Sequence, residues 1–284
     1  MTHDLTLTLS CADRPGIVAA VAGFLADRGF TIRDSQQFGD EDSGLFFIRV
    51  HAVADLPIEF DLLRAEFGPA VGETMEASWA LHDPSVKHRI LVMVSRQGHC
   101  LNDLLYRVRT GSLAADIVAV VSNHDDLREL VEWHGIPFHH VPVTADTKDR
   151  AEDELRKLVA SYDADSVVLA RYMQILSDPL CRELAGRAIN IHHSLLPSFK
   201  GARPYFQAHA RGVKVIGATA HYVTADLDEG PIIEQDFTRV DHSNSAVDLT
   251  AIGRDLEAHA LARAVTAHAE HRVLMNGSRT VVFR

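Results

Sequence analysis

Cysteine is scarce, with only Cys11, Cys100 and Cys181 in 284 residues. Three widely spaced thiols form neither a disulfide framework nor the closely spaced ligand pairs of a zinc module, so reduced cysteines are expected. Basic charge is also in deficit: 28 Lys and Arg stand against 39 Asp and Glu, a formal charge of −11. Without a basic block, nucleic acid and anionic membranes drop out of the expected partners. No apolar run nears the roughly 18 residues of a membrane span. The N-terminal MTHDLTLTLSCADRPG has no basic segment followed by a long apolar stretch, so a soluble, cytoplasmic protein is expected. The 17 histidines fall in no HExxH or CxxC spacing, and His268 and His271 read as a polar helical face. No metal is expected. Repeats and low-complexity tracts are absent too.

What remains is ordinary globular composition, 46% hydrophobic and 24% charged, enough for two cores at a length that suits two domains. Residues 4–12, DLTLTLSCA, alternate Leu5, Leu7 and Leu9 with polar side chains, as a half-buried strand does. In PGIVAAVAGFLADRG, Ile17, Val21, Phe24 and Leu25 recur at helical spacing, with Pro15 suited to the first turn and Gly29 to the exit. FTIRDSQQF, the turn GDEDSG and LFFIRVHAV read as a hairpin. PIEFDLLRAEFG follows as a short helix and TMEASWAL as a strand. That order, βαββαβ, predicts a ferredoxin-like domain over residues 1–82. The polar, Pro84-containing HDPSVKH marks a linker at 83–88.

Residues 89–284 carry a different pattern. The apolar runs ILVMV, DIVAVV, DSVVLA and AINI alternate with helical spacings such as Leu101, Leu104, Leu105 and Val108, or Leu155, Leu158, Val159 and Tyr162. Strands buried on both faces and interleaved with helices predict an α/β, doubly wound, mostly parallel Rossmann-like sheet. KVIGATAHYV and PIIEQDFTRV read as a strand pair closing that sheet or lying beside it. The long helix within SNSAVDLTAIGRDLEAHALARAVTAHAEHR begins with Ser245 and Asp248 in an N-cap arrangement.

The chemically suggestive stretch is AINIHHSLLPSFKGARPY. Ligands of an open parallel sheet bind beyond the carboxyl ends of its strands, and Asn190 and His192 fall at such an end. Two residues apart on an extended chain, they point to the same side, an amide donor and an imidazole suited to an oxyanion. HYVTADLDEGPII then supplies Asp226, Asp228 and Glu229. A carboxylate beside an imidazole favours its charged form and could also orient an attacking water. Spacing leaves a second reading open, in which Asn and His form a turn and the acidic loop is merely solvated.

INIHHSLLPSFKGARPY together with GVKVIGATAHYVTADLDEGPIIEQD closely resembles the formyltetrahydrofolate-using formyl transfer enzymes. The resemblance implies a catalytic set of Asn190, His192 and Asp228, framed by Gly217, His221 and Gly230. It further implies the hydrolytic branch, in which water takes the formyl group of 10-formyltetrahydrofolate and formate and tetrahydrofolate leave. That activity would balance the one-carbon folate pool and feed formate to purine synthesis. His193 stands where the amine-formylating relatives usually have proline. VSRQGHCLNDLL occupies the turn where those relatives cradle a phosphate with glycines. Only Gly98 remains there, and His99 and Cys100 intrude. His99, Cys100, His193 and His221 are accordingly assigned to the water site or its surroundings, and Cys100, with no base identifiable beside it, is read as packing rather than as a nucleophile.

RYMQIL resembles the folate-lining segment, which places Met173, Gln174, Ile175 and Leu176 at the substrate, together with Thr224 and Ala225. The side chains of Met173, Ile175 and Leu176 are read as core, the backbone making the contact. Relatives often carry arginine at the position of Gln174, so a charge contact to the folate tail is not carried over. Residues 1–82 resemble an ACT domain, with Asp13, Pro15, Gly16 and Ile17 as the effector-binding stretch and glycine or methionine as effector by analogy. A plain helix start accounts for Pro15 and Gly16 as well. The resemblance implies a homo-oligomer, dimer or tetramer, and no tightly bound cofactor. Two other functions stay open: formylation of an amine such as glycinamide ribonucleotide, and a non-catalytic sensor of folate or amino acids.

Overall fold

The computed structural model describes residues 3–197 and 204–284, and the chain divides into two compact units, Met1–Lys87 with Glu270–Arg284, and His88–Ala269. In the first, β1 (His3–Ala12), α1 (Ile17–Ala26), β2 (Thr31–Asp40), β3 (Leu45–Ala54), α2 (Phe60–Phe67) and β4 (Ser78–His82) follow one another. The strands form an antiparallel sheet in the order β2-β3-β1-β4. The alternation in β1 sends Leu5, Leu7 and Leu9 into a core with Ile17, Val21, Phe24 and Leu25 of α1, and Leu63 and Phe67 of α2. Pro15 does not enter α1 as its spacing suggested. Gly16 is the N-cap at φ +99°, a conformation that side chains disfavour and glycine adopts freely, so the helix begins one residue later.

The second unit runs β5 (His88–Val94), α3 (His99–Thr110), β6 (Ala115–Ser122), α4 (Arg128–Trp133), β7 (Phe138–His140), α5 (Lys148–Ser161), β8 (Ser166–Leu169), α6 (Asp178–Glu183) and β9 (Ala188–His192). It continues with α7 (Pro204–Arg211), β10 (Val215–Tyr222), β11 (Ile232–Arg239) and α8 (Ala246–Ala269). One seven-stranded sheet has the order β11-β10-β9-β8-β5-β6-β7. Strands β5 to β9 pair in parallel, whereas β10 and β11 run antiparallel to their neighbours and extend the same sheet at its edge. The strand order changes direction between β5 and β8, the position at which a doubly wound sheet opens a crevice.

Helix α8 starts with a reciprocal capping box: the Ser245 amide donates to Asp248 Oδ2 (2.8 Å) and the Asp248 amide to Ser245 Oγ (3.2 Å). Its far end departs from the sequence expectation. His268 is not on a solvated face, since its Nδ1 lies 2.8 Å from the Tyr222 hydroxyl and burial, with the nearby charge of His88, pushes the ring down to about 3. His271 lies beyond the helix and stacks on His82 at 3.4 Å. The chain there belongs to the first unit, whereas the sequence boundary placed residues 270–284 in the second domain. β12 (Val273–Asn276) and β13 (Arg279–Val282) form a hairpin. Asn276 Nδ2 and Arg279 Nη2 donate to Asp40 Oδ2 at 2.7 and 2.8 Å.

Candidate active site

Asn190 and His192 are the last alternate residues of β9, and antiparallel β10 sets His221 opposite Asn190 and Thr219 opposite His192. Asn190, His192 and His221 line a cavity of about 300 Å³ within the second unit, which the loop after β10 reaches with Asp228. The carboxylate bridges two rings: Oδ2 lies 3.2 Å from His192 Nδ1 and Oδ1 lies 3.6 Å from His221 Nε2. Asp228 sits at φ +57°, in the left-handed region that Asp tolerates better than most residues. Two residues on, Gly230 is required, because a Cβ would fall 1.7 Å from the Tyr222 carbonyl oxygen. That carbonyl also accepts a hydrogen bond from His221 Nδ1 at 2.9 Å. In the neutral ring Nε2 is then bare, and it accepts from Asn190 Nδ2 at 3.2 Å.

Burial alone would raise the Asp228 carboxyl, but the hydrogen bond from His192 and its charge, with the His221 ring beside the other oxygen, outweigh it and hold it well below the usual carboxylate range. With Nδ1 committed to Asp228, His192 keeps a buried Nε2 that has no hydrogen-bond partner among the described residues; His193 Nδ1 is in the same condition. An unpartnered buried polar atom is costly, and here two occur on consecutive residues that both line the cavity. Burial foremost, then the charges of Arg171 and His192, push the His193 ring down to about 4, so it is neutral near pH 7. The arrangement therefore combines amide and imidazole donors, a fixed carboxylate and a neutral imidazole around one space, which is what carbonyl addition by water demands.

The expected substrate residues Met173, Gln174, Ile175 and Leu176 line this cavity, as do Thr224 and Ala225. The core reading holds for Leu176 but not for Met173 and Ile175, which are 59% and 60% exposed. They lie in the segment between β8 and α6 and leave part of an apolar wall open to a ligand. His99 and Cys100 do not line the cavity. Gly98 caps α3 from outside, so His99 and Cys100 occupy its first turn; Cys100 is 1% exposed and burial pushes its thiol well up. His99 Nε2 instead lies 2.8 Å from Glu257 Oε2 of α8. In the first unit, Ile17 is core, the Asp13 amide donates to the Gly44 carbonyl (2.9 Å), and Pro15 and Gly16 lead into α1.

The sequence reading missed Arg171, Tyr205 and Glu257. Glu257 is 1% exposed; its Oε1 accepts from the Tyr205 hydroxyl at 2.7 Å and its Oε2 lies 3.3 Å from Arg171 Nε. A carboxylate one helical turn after Gly253, in line with the apolar Leu256, Ala260 and Leu261, was the signal that could have marked it. His99, Cys100 and Glu257 bring three ligand-type atoms within 4.8 Å of one another. They fit a cation poorly, because Glu257 is already committed to Arg171, Tyr205 and His99.

A formyl transferase family model matches residues 88–265, and an ACT domain model matches residues 5–66. The chain is 52% identical to a formyltetrahydrofolate deformylase from Corynebacterium sp. (strain P-1), over 98% of this chain and 97% of that one. The crystal structure of formyltetrahydrofolate deformylase from Burkholderia mallei ATCC 23344 superposes with a TM-score of 0.95 at 52% identity, covering 99% and 100% of the two chains. That of the deformylase from Pseudomonas syringae pv. tomato str. DC3000 gives 0.96 at 50% identity, covering 100% and 95%.

Proposed function

The chain belongs to the formyltetrahydrofolate deformylases of the formyl transferase family, and from that premise we propose that its cavity hydrolyses 10-formyltetrahydrofolate to formate and tetrahydrofolate. The observation that carries the site assignment is the convergence of Asn190, His192 and Asp228, distant in sequence, on one cavity. The formyl oxygen accepts from the free N–H of Asn190 and from His192 Nε2, the atom that lacks a protein partner. Asp228, ionised, orients the water and holds the His192 ring through Nδ1. As the water oxygen bonds to the formyl carbon the water becomes strongly acidic and gives a proton to the Asp228 carboxylate, which passes that proton to the folate nitrogen as the C–N bond breaks and is left ionised again. His193, neutral, accepts a hydrogen bond from the water. Met173 to Leu176, Thr224 and Ala225 hold the pterin and aminobenzoate, and no tightly bound cofactor takes part.

The ACT unit takes a small amino acid such as glycine or methionine at the Asp13–Ile17 turn, in a homo-oligomer working in the cytoplasm. The family match and the open left-handed turn at Gly16 support this reading. Among the described residues no helix is long and apolar enough to cross a membrane. The decisive experiment supplies 10-formyltetrahydrofolate with no amine. Formate and tetrahydrofolate in equal amounts are expected; formate transfer only after an amine is added would replace hydrolysis with amine formylation.

A further inference from the structure

We propose that Arg171 forms a binding site for the carboxylate product, formate, on the wall of the catalytic cavity; this rests on the hydrolytic reading above. Hydrolysis turns a neutral amide into an anion beside the ionised Asp228. Among the described residues that line the cavity, Asp228 is the one carboxylate and Arg171 the one arginine or lysine. Like charge drives formate away from the first, and the second is the fixed cation within the same space.

Arg171 is built to serve as a binding group rather than as a solvated surface charge. Its side chain is 10% exposed, and its Nε is shared between Gln97 Oε1 at 3.2 Å and Glu257 Oε2 at 3.3 Å. Glu257 is in turn fixed by Tyr205 and His99. The guanidinium is thereby oriented through its Nε hydrogen bond to Gln97 and its ion pair with Glu257. Its Nη1 and Nη2 make no hydrogen bond to a described residue, which leaves N–H donors in the planar fork that matches a carboxylate. The backbone of Arg171 lies at φ +66°, a conformation a non-glycine residue keeps only where its surroundings hold it. His193 links this group to the chemistry, since the charges of Arg171 and Asp228 both act on its ring.

The carboxylate could also be that of the folate's glutamate tail, and the test separates the two sources. With the full-length enzyme, sodium formate, compared with sodium chloride at equal ionic strength, is expected to inhibit turnover and to raise the melting temperature. Arg171→Met is expected to weaken formate inhibition roughly tenfold or more, the loss typical of a bidentate charged contact. Because that change leaves Glu257 buried beside fewer donors, the double variant Arg171→Met, Glu257→Gln removes both charges and should show the same loss. Arg171→Lys keeps the charge without the fork and should fall between. Wild-type enzyme insensitive to formate, or folded variants with unaltered formate inhibition, would overturn the site. So would a tenfold rise in KM for 10-formyltetrahydrofolate with formate inhibition intact, which would assign Arg171 to the folate tail. If the wild type releases no formate from its substrate, the hydrolytic reading fails, and the formate-induced melting shift in wild type against Arg171→Met decides the site by itself.

Discussion

Asn190 holds one N–H against His221 Nε2 and has a second to offer, so the amide is already oriented before any substrate arrives. Such preorganisation is what makes an oxyanion donor effective. Asn190→Ala is expected to lose about 3 kcal/mol of transition-state stabilisation, a kcat about a hundredfold lower with KM nearly unchanged. Steady-state kinetics that return full turnover would remove Asn190 from the mechanism. At this scale the sequence was informative where residues are close in the chain: the Asn190 and His192 spacing on an extended strand set their common direction. It was silent on which nitrogens are occupied. That depends on Asp228 and the Tyr222 carbonyl meeting the rings in space.

The elements show the same division. Strand alternation in β1 and helical spacing in α1 were legible because burial on one face imposes period 2 or 3.6. β7 was not, being three residues, Phe138–His140, too short for any period to register. α8 was legible as a helix and through its cap, but not in what its small residues do. A Cβ on Gly253 would lie 2.0 Å from Cζ of Tyr205, whose hydroxyl reaches Glu257 one turn further on. Alanine ordinarily stabilises a helix interior by about 1 kcal/mol over glycine. Here the overlap with a buried ring opposes that gain, at a typical overpacking cost of about 1–3 kcal/mol. Gly253→Ala is therefore expected to lower the urea midpoint rather than raise it, and to weaken turnover through displaced Tyr205 and Arg171. A raised midpoint would show that Tyr205 shifts without cost.

For the whole molecule, pH acts through buried histidines. His193 and His268 are held down to about 4 and about 3 in the fold, against about 6.5 in an unfolded chain. Their neutral forms are favoured by folding, so the unfolded chain binds more protons below about pH 6.5. Stability is complete above that value and falls as the pH drops toward 4, by up to about 1.4 kcal/mol per pH unit for each histidine. Asp228, held below the usual carboxylate range, adds its own loss only at pH below its unfolded value of about 3.9. Urea unfolding midpoints measured downward from neutral pH should decline accordingly, and His268→Gln should flatten the decline by one proton. An unchanged slope would mean that His268 is charged in the fold.

By itself the sequence determined the two fold classes, the helix and strand patterns, and the family motif containing Asn190, His192 and Asp228, because these depend on residues near one another in the chain or on periodic burial. Tertiary structure decided what joins distant segments. It returned residues 270–284 to the first unit through Asp40, buried His268 under Tyr222, and gathered Arg171, Tyr205 and Glu257 from three separate segments into one bonded cluster. Hydrogen bonds and charge pairs of this kind have no period, so nothing in the local pattern announces which residues will meet.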